Sequence, residues 1–155
     1  MKYSWVVAHP VSLNASVVFE HLDERLFNEL KPPPWLAEVK RNDGVKVGNE
    51  IWVQLHFPIS GLWKTKIVER KETAPFFFVD ESTVQLPSGM RYWKHIHRVV
   101  PITELSCKIE EDVQWESSNP LIGFVLNLGF WFMMKGRRKT YQKYFEKIAL
   151  GVDRK

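Results

Sequence analysis

The feature that most constrains this fold is a series of six short segments with period-two alternation, followed by one long helical segment. Alternating side chains predict strands with one buried face, and the short turns between them predict antiparallel neighbours. Such a sheet needs a cover for its apolar face, and the helix can provide it. The predicted strands are Trp35–Arg41, Asn49–Phe57, Leu62–Lys71, Pro75–Ser82, Arg91–Val100 and Glu104–Trp115.

The N-terminal part predicts one more strand and two short helices. Lys2–Val7 alternates like the later strands, and Ser12 or Asn14 can cap a helix that reaches Asp23. A second helix, Glu24–Leu30, ends before three consecutive prolines, which cannot continue it.

The C-terminal segment predicts a single helix from Leu121 to about Leu150. Asn119 or Ser118 can cap its start, and Gly151 can end it. Its first half is apolar nearly all round, which indicates burial on more than one side.

Length and composition fit this order of elements. We predict one α+β domain across residues 1–155, with a sheet of about seven strands. The single cysteine, Cys107, excludes an internal disulfide and a zinc site built from cysteines. The unusual count is aromatic, with 7 Trp, 10 Phe and 4 Tyr. So many rings require either a solid aromatic core or a lined cavity.

The sequence lacks the motifs that are typical of several classes of protein. The sequence contains no glycine-rich phosphate loop and no nucleophile elbow. Basic residues do not alternate with aromatic residues along a strand face, so we expect no nucleic acid partner. The longest apolar run, Leu121–Met134, is shorter than the roughly 18 residues of a membrane span. We therefore expect no stable membrane insertion. The start of the chain lacks a signal-peptide core, which favours a cytoplasmic protein.

Two neighbouring strands predict a polar group on an otherwise apolar inward face. His95 and His97 share one face of their strand, because side chains repeat every second residue. A hairpin register that pairs Val99 with Cys107 places His95 opposite Glu111, so an imidazole and a carboxylate come within contact distance across the strands. A slip of two residues pairs Trp93 with Glu111 instead.

Several interpretations of this group remain open. The two histidines and Glu111 can form a buried polar pair that stabilises the sheet, or they can anchor a ligand in an apolar cavity. They can also catalyse, with His95 or His97 as acid or base and Glu111 raising the basicity of the imidazole. Strand spacing permits a metal site of both histidines and Glu111, but no further ligand motif supports it. We therefore predict no metal and no cofactor.

A longer pattern around these residues resembles a known superfamily. Phe78-Val79-Asp80-Glu81 followed by Trp93-Lys94-His95-Ile96-His97 is similar to the F-V-D-E and W-x-H-x-H pattern of bacterial SRPBCC proteins, the START-type and polyketide-cyclase-like superfamily. Further similarity lies in Asp43–Gly48, in Glu111–Trp115 ahead of Pro120, and in the basic and aromatic segment Arg137–Phe145. The resemblance implies a helix-grip fold, in which a curved antiparallel sheet wraps around a long C-terminal helix. It also implies a cavity between sheet and helix for an apolar or amphipathic molecule.

These inferences predict a binding or carrier protein for a small hydrophobic molecule or lipid. The alternative is an enzyme of cyclase or dehydratase type that uses His95, His97 and Glu111. Nothing in the pattern predicts an oligomeric state. The predicted ligand contacts are Trp63, Phe78, Trp93, His95, His97, Glu111, Trp115, Phe124 and Leu128.

Overall fold

Seven strands form one antiparallel sheet in a computed structural model that describes residues 1–56, 60–82, 84, 86–87 and 89–152. The spatial order is β1-β7-β6-β5-β4-β3-β2, so β2 to β7 form a meander and β1 returns beside β7. This confirms the predicted α+β class and the predicted number of strands. The strands are β1 (Lys2–Val11), β2 (Ala37–Asn42), β3 (Glu50–Leu55), β4 (Gly61–Lys71), β5 (Phe76–Ser82), β6 (Met90–Thr103) and β7 (Ser106–Ser117).

Most strand bounds differ from the prediction by one to four residues, and two of these differences have a clear local cause. The predicted end of β1 at Val7 is wrong, because the strand continues through Pro10, which pairs with Lys108. β1 is an edge strand, where a missing proline N–H costs no sheet hydrogen bond. The predicted start of β2 at Trp35 is also wrong, because the carbonyl of Pro33 accepts hydrogen bonds from the N–H groups of Leu36 and Ala37 and so forms a turn that includes Trp35. The predicted strand end at Phe57 and the predicted turn positions Pro58, Ile59 and Ser88 lie outside the described residues.

Four helices accompany the sheet within the described ranges: α1 (Ala15–Glu20), α2 (Glu24–Glu29), α3 (Pro120–Gly136) and α4 (Arg138–Ala149). Asn14 caps α1, since its Oδ1 accepts from the backbone N–H of Ser16 at 2.9 Å. The predicted extension of α1 to Asp23 is wrong, because Asp23 is the cap of α2. Asn119 caps α3, as predicted.

The predicted single helix from Leu121 to Leu150 is wrong, because the segment divides at Arg137. The backbone N–H of Arg137 bonds to the carbonyl of Met134 at 3.2 Å, three residues back, which tightens the turn. Gly136 precedes it, and glycine has a low helix propensity. The break sets α4 off from α3 and leaves the Arg137 side chain pointing at the sheet.

The hairpin register between β6 and β7 differs from the prediction by two residues. Val99 pairs with Ile109 instead of Cys107, and His97 stands opposite Glu111. The reason lies in the turn, where Thr103 pairs with Ser106 and leaves a two-residue loop. Two-residue loops are the favoured connection of a β-hairpin.

Two apolar clusters fill the space between sheet and helices. One lies under α1, α2 and α4, with Phe19, Leu26 and Phe145 among its buried members. The other lies under α3 and is mainly aromatic, with Trp93 and Trp115 almost completely buried. None of the helices in the described ranges combines the length and apolar character that crossing a membrane requires.

A buried histidine in the first cluster predicts acid sensitivity. His9 on β1 is 1% exposed and lies 5.1 Å from the ring of Tyr141. Neither ring nitrogen has a hydrogen-bond partner among the described residues. Burial lowers the pKa of His9, so below about pH 6.5 the unfolded chain binds a proton that the folded chain does not. The free energy of unfolding should therefore decrease as the pH is lowered below about 6.5, by up to about 1.4 kcal/mol per pH unit.

Urea denaturation between pH 7 and pH 5 measures this effect. The variant His9→Leu should lose part of the pH slope of wild-type stability. Equal slopes in His9→Leu and wild type would contradict the prediction.

Candidate functional site

A cavity of about 360 Å³ lies between the sheet and α3. Strands β2 to β6 form one wall, α3 forms another, and α2 with the proline segment after it closes a third side. Most lining side chains are apolar, because the inner faces of the strands and of α3 are apolar. Four polar lining residues form one group on β5, β6 and the α3–α4 junction, namely Asp80, His95, His97 and Arg137. The other polar lining residues, Asn28, Lys31, Asn42 and Thr65, are spread over α2, the segment after it, β2 and β4.

Five of the predicted ligand contacts line this cavity. They share a position on the inner faces of three adjacent strands: Trp63 on β4, Phe78 on β5, and Trp93, His95 and His97 on β6. The period-two pattern that predicted an inward face therefore placed these side chains on the correct side of the sheet.

Two of the predicted ligand contacts, Trp115 and Glu111, lie behind the residues that line the cavity. Trp115 stacks on Tyr3 at 4.7 Å between ring centroids and meets Phe130 edge-on at 5.4 Å. Glu111 is completely buried and reaches the rings of the histidines without lining the cavity. The prediction that these two side chains line the ligand cavity is wrong, because residues of α3, of α4 and of the junction between them cover β7 there.

The prediction that Phe124 and Leu128 line the cavity is also wrong. Their side chains are 59% and 42% exposed, on the outer face of α3. The face of α3 that borders the cavity carries Leu126 and Phe130 instead. Two residues along a helix rotate a side chain by about 200°, so positions two away from the buried ones point outward.

Glu111 is the centre of a buried polar cluster. Its Oε2 lies 2.5 Å from Nε2 of His95 and 3.2 Å from Nδ1 of His97. Its Oε1 accepts a hydrogen bond from Nη1 of Arg137 at 3.1 Å and another from the hydroxyl of Tyr141. The carboxylate thus connects β6 with the junction of α3 and α4.

Asp80 completes the cluster from the opposite side. Its Oδ2 lies 3.1 Å from Nε2 of His97 and 3.6 Å from Nδ1 of His95. Its Oδ1 accepts a hydrogen bond from Nε1 of Trp93 at 3.0 Å. Asp80 is 7% exposed, and it faces inward because it stands opposite His95 in the β5–β6 ladder.

Comparison with solved structures identifies the fold of this chain. The aromatase/cyclase Zhui from Streptomyces sp. R1128 has a TM-score of 0.72 at 10% identity, over 95% of this chain and 95% of that chain. Norcoclaurine synthase from Thalictrum flavum, in complex with dopamine and hydroxybenzaldehyde, has a TM-score of 0.65 at 15% identity, over 100% of this chain and 89% of that chain. This chain has the helix-grip fold.

A further helix-grip structure, Ara h 8.0201, has a TM-score of 0.60 at 10% identity, over 95% of this chain and 99% of that chain. No family model matches the sequence, and no curated protein matches it. The resemblance to SRPBCC proteins is thereby confirmed at the level of the fold.

The pKa values of the two histidines in the helix-grip cavity shift in opposite directions. Burial lowers the pKa of His97, but the carboxylates of Glu111 and Asp80 outweigh it and raise that pKa above its usual value. Burial and the neighbouring His97 lower the pKa of His95. Burial raises the pKa of Glu111, but the charges of Arg137 and the histidines outweigh it and hold that pKa well below its usual value. The carboxylate of Glu111 is therefore ionised, and of the two rings His97 holds a proton more strongly than His95.

Two buried N–H donors of the helix-grip cavity are unpaired. Nε1 of Trp63 and Nε of Arg137 are shielded from water and have no hydrogen-bond partner among the described residues. Both residues line the cavity. An unpaired buried donor costs about 1–3 kcal/mol, so an acceptor atom of a bound molecule can recover that free energy here.

The sequence interpretation missed three members of this cluster: Asp80, Arg137 and Tyr141. In the sequence Asp80 stands out only as part of the F-V-D-E pattern, and the other two only as parts of a basic and aromatic segment. The signal for Asp80 was its inward position within the F-V-D-E pattern. A signal for Arg137 was the glycine before it, which weakens the helix where its side chain turns to the sheet.

Proposed function

We propose that this protein binds a small apolar or amphipathic molecule in the helix-grip cavity, with the polar end of the molecule directed at His95, His97 and Arg137. The observation that carries the proposal is the cavity itself, about 360 Å³ of mostly apolar space with one buried group of ionisable side chains in its wall. Sites for small molecules typically have volumes of about 300–1,000 Å³, mostly apolar walls and a few polar groups that orient the ligand.

The wall indicates the chemistry of the ligand. Trp63, Trp93 and Phe130 form an edge-to-face group with ring centroids 4.6 to 5.9 Å apart, which offers aromatic surface to a flat molecule. The unpaired donors of Trp63 and Arg137 favour a ligand with an acceptor oxygen, such as a carboxylate or carbonyl group. Norcoclaurine synthase, which shares the fold, is described in complex with dopamine and hydroxybenzaldehyde, both small aromatic molecules. We also propose that the protein is located in the cytoplasm.

Filling the cavity tests the proposal. Gly129 on α3 lines the cavity, and a Cβ added to it meets no described atom within 4 Å. The variant Gly129→Phe should therefore fold and occupy the space that the ligand needs. We expect wild type to bind an aromatic carboxylate, with 2-naphthoate as the probe, at one site per chain by calorimetry and tryptophan fluorescence. Gly129→Phe should weaken this binding at least tenfold.

Leu128→Phe is the matched control, because Leu128 is the adjacent residue on α3, is 42% exposed on its outer face and does not line the cavity. It should bind the probe like wild type. Equal binding by Gly129→Phe and wild type would contradict a ligand site in this cavity. No binding of 2-naphthoate, fatty acids or other aromatic acids by wild type would contradict ligand binding altogether.

Acid–base catalysis is the second candidate function, and one observation favours it. Both histidines line the cavity beside an ionised Asp80, so a bound molecule comes within reach of a proton donor and a proton acceptor. Glu111 does not line the cavity, so in this function it positions the histidines. A probe that is chemically altered by wild type and unaltered by Gly129→Phe would support this second candidate.

A further inference from the structure

Three buried side chains converge at the polar end of the cavity. One ligand atom from each of Asp80, His95 and His97 lies within 4.8 Å of those of the other two. All three side chains line the cavity, and each residue is less than 8% exposed. We propose that they form a binding site for a divalent transition-metal ion of the zinc or ferrous class.

The distances suit such an ion. Oδ2 of Asp80 lies 3.1 Å from Nε2 of His97 and 3.6 Å from Nδ1 of His95. Donor atoms at about 2.0–2.1 Å from a tetrahedral metal ion lie about 3.4 Å from one another. Small rotations of the two rings and the carboxylate therefore suffice to bring all three atoms to coordination distance.

The outer nitrogens of both rings are held by a second carboxylate. Oε2 of Glu111 contacts Nε2 of His95 and Nδ1 of His97, which are the nitrogens that do not face Asp80. A neutral imidazole has one N–H, and when that N–H donates to Glu111 the other nitrogen presents its lone pair on the Asp80 side. Histidine ligands of metals are commonly oriented in this way by a carboxylate.

Charge favours a cation at the same point. Asp80 and Glu111 are both anionic, and Arg137 balances one of the two charges through its 3.1 Å contact with Glu111. The remaining negative charge lies beside the two rings, where either a proton on His97 or a metal ion can balance it.

The donor set selects the class of ion. Two imidazole nitrogens and one carboxylate oxygen suit zinc or ferrous iron, whereas magnesium and calcium prefer oxygen ligands. Three protein ligands at a cavity wall also leave a coordination position open toward the cavity. This proposal does not depend on the proposed function, because all three metal-binding side chains belong to this chain and no bound small molecule is needed.

Calorimetry with chelator-treated protein tests the site, with Zn²⁺ as the probe and Co²⁺ absorbance as a second measurement. We expect one saturable Zn²⁺ site per chain and visible Co²⁺ bands of a four-coordinate ion. Asp80→Asn should weaken Zn²⁺ binding at least about 100-fold, more than the loss of a residue that only orients a ligand. Glu81→Gln is the matched control, because Glu81 is the next residue on β5 and its side chain faces away from the cavity. No saturable Zn²⁺ binding, or equal loss in both variants, would overturn the proposal.

Nitrogen chemical shifts of wild-type protein give a test that does not depend on how variants fold. Zn²⁺ should shift Nδ1 of His95 and Nε2 of His97, with the remaining nitrogen of each ring keeping its proton. Shifts confined to His9, His21 or His56 would place the ion elsewhere and refute the site. Because Zn²⁺ is titrated without 2-naphthoate, and 2-naphthoate into chelator-treated protein, failure of one proposal is distinguishable from failure of the other.

Discussion

Replacing Glu111 by glutamine should lower the free energy of unfolding by about 3–5 kcal/mol, the range measured when one partner of a buried ion pair is removed. Glu111 is 0% exposed, and its two oxygens contact four side chains. Glutamine has nearly the same shape but carries no charge. The guanidinium of Arg137, which lies 3.1 Å from the Glu111 carboxylate, then has no charged partner at this position.

The same substitution also affects the histidines. Glutamine offers one acceptor oxygen in place of two, and its NH₂ group donates, so it cannot accept from both rings and from Arg137 and Tyr141 together. At least one buried donor is then left unpaired, which adds about 1–3 kcal/mol of desolvation cost. The two effects share the same contacts, so we expect the total to stay within the range for a broken buried ion pair.

Glu110→Gln is the matched control for this prediction. Glu110 is adjacent on β7 but faces the other side of the sheet, where its oxygens lie 3.9 Å from Arg98 and 2.7 Å from Lys108. Partly exposed ion pairs of this kind contribute about 0–1 kcal/mol. Urea denaturation at pH 7 measures both variants. A loss below about 1 kcal/mol for Glu111→Gln would show that the cluster contributes little to folding.

The strands were predictable because their pattern is local. Period-two alternation is visible in a window of about six residues, and on β6 the alternate residues from Trp93 to Val99 are buried on one face, as the pattern predicted. The caps of α1 and α3 were predictable for the same reason, since Asn14 and Asn119 bond to backbone groups within three residues.

The contacts between β6, β7 and the helix break were less predictable, because they depend on distant parts of the chain. A hairpin register follows from the number of residues in its turn, and a choice between turns two residues apart moved Glu111 from His95 to His97. The contact of Arg137 with Glu111 spans 26 residues and needs a break in a helix that otherwise has a continuous apolar pattern. The sequence predicted a polar site at the histidines, but it did not predict that both carboxylates would hold both rings.

Replacing Phe130 by alanine should be the second large effect, with an expected loss of about 3–5 kcal/mol of stability. Phe130 is 9% exposed and lies at the centre of the aromatic cluster. Its ring centroid is 5.9, 5.3 and 5.4 Å from those of Trp63, Trp93 and Trp115. Alanine removes a ring that contacts all three indoles and opens a void next to an existing cavity.

Phe132→Ala is the control, because Phe132 lies two residues further along α3 on its outer face and is 64% exposed. Exposed substitutions of this kind usually change stability by less than about 0.5 kcal/mol. Tryptophan emission adds a second measurement, since only Phe130→Ala should expose Trp63 and Trp93 to water through the enlarged cavity and shift their emission to longer wavelength. Equal stability losses in the two variants would mean that α3 does not hold its inner face against the sheet. The cavity between α3 and β6 depends on that contact, so the same result would also remove the basis for a ligand site there.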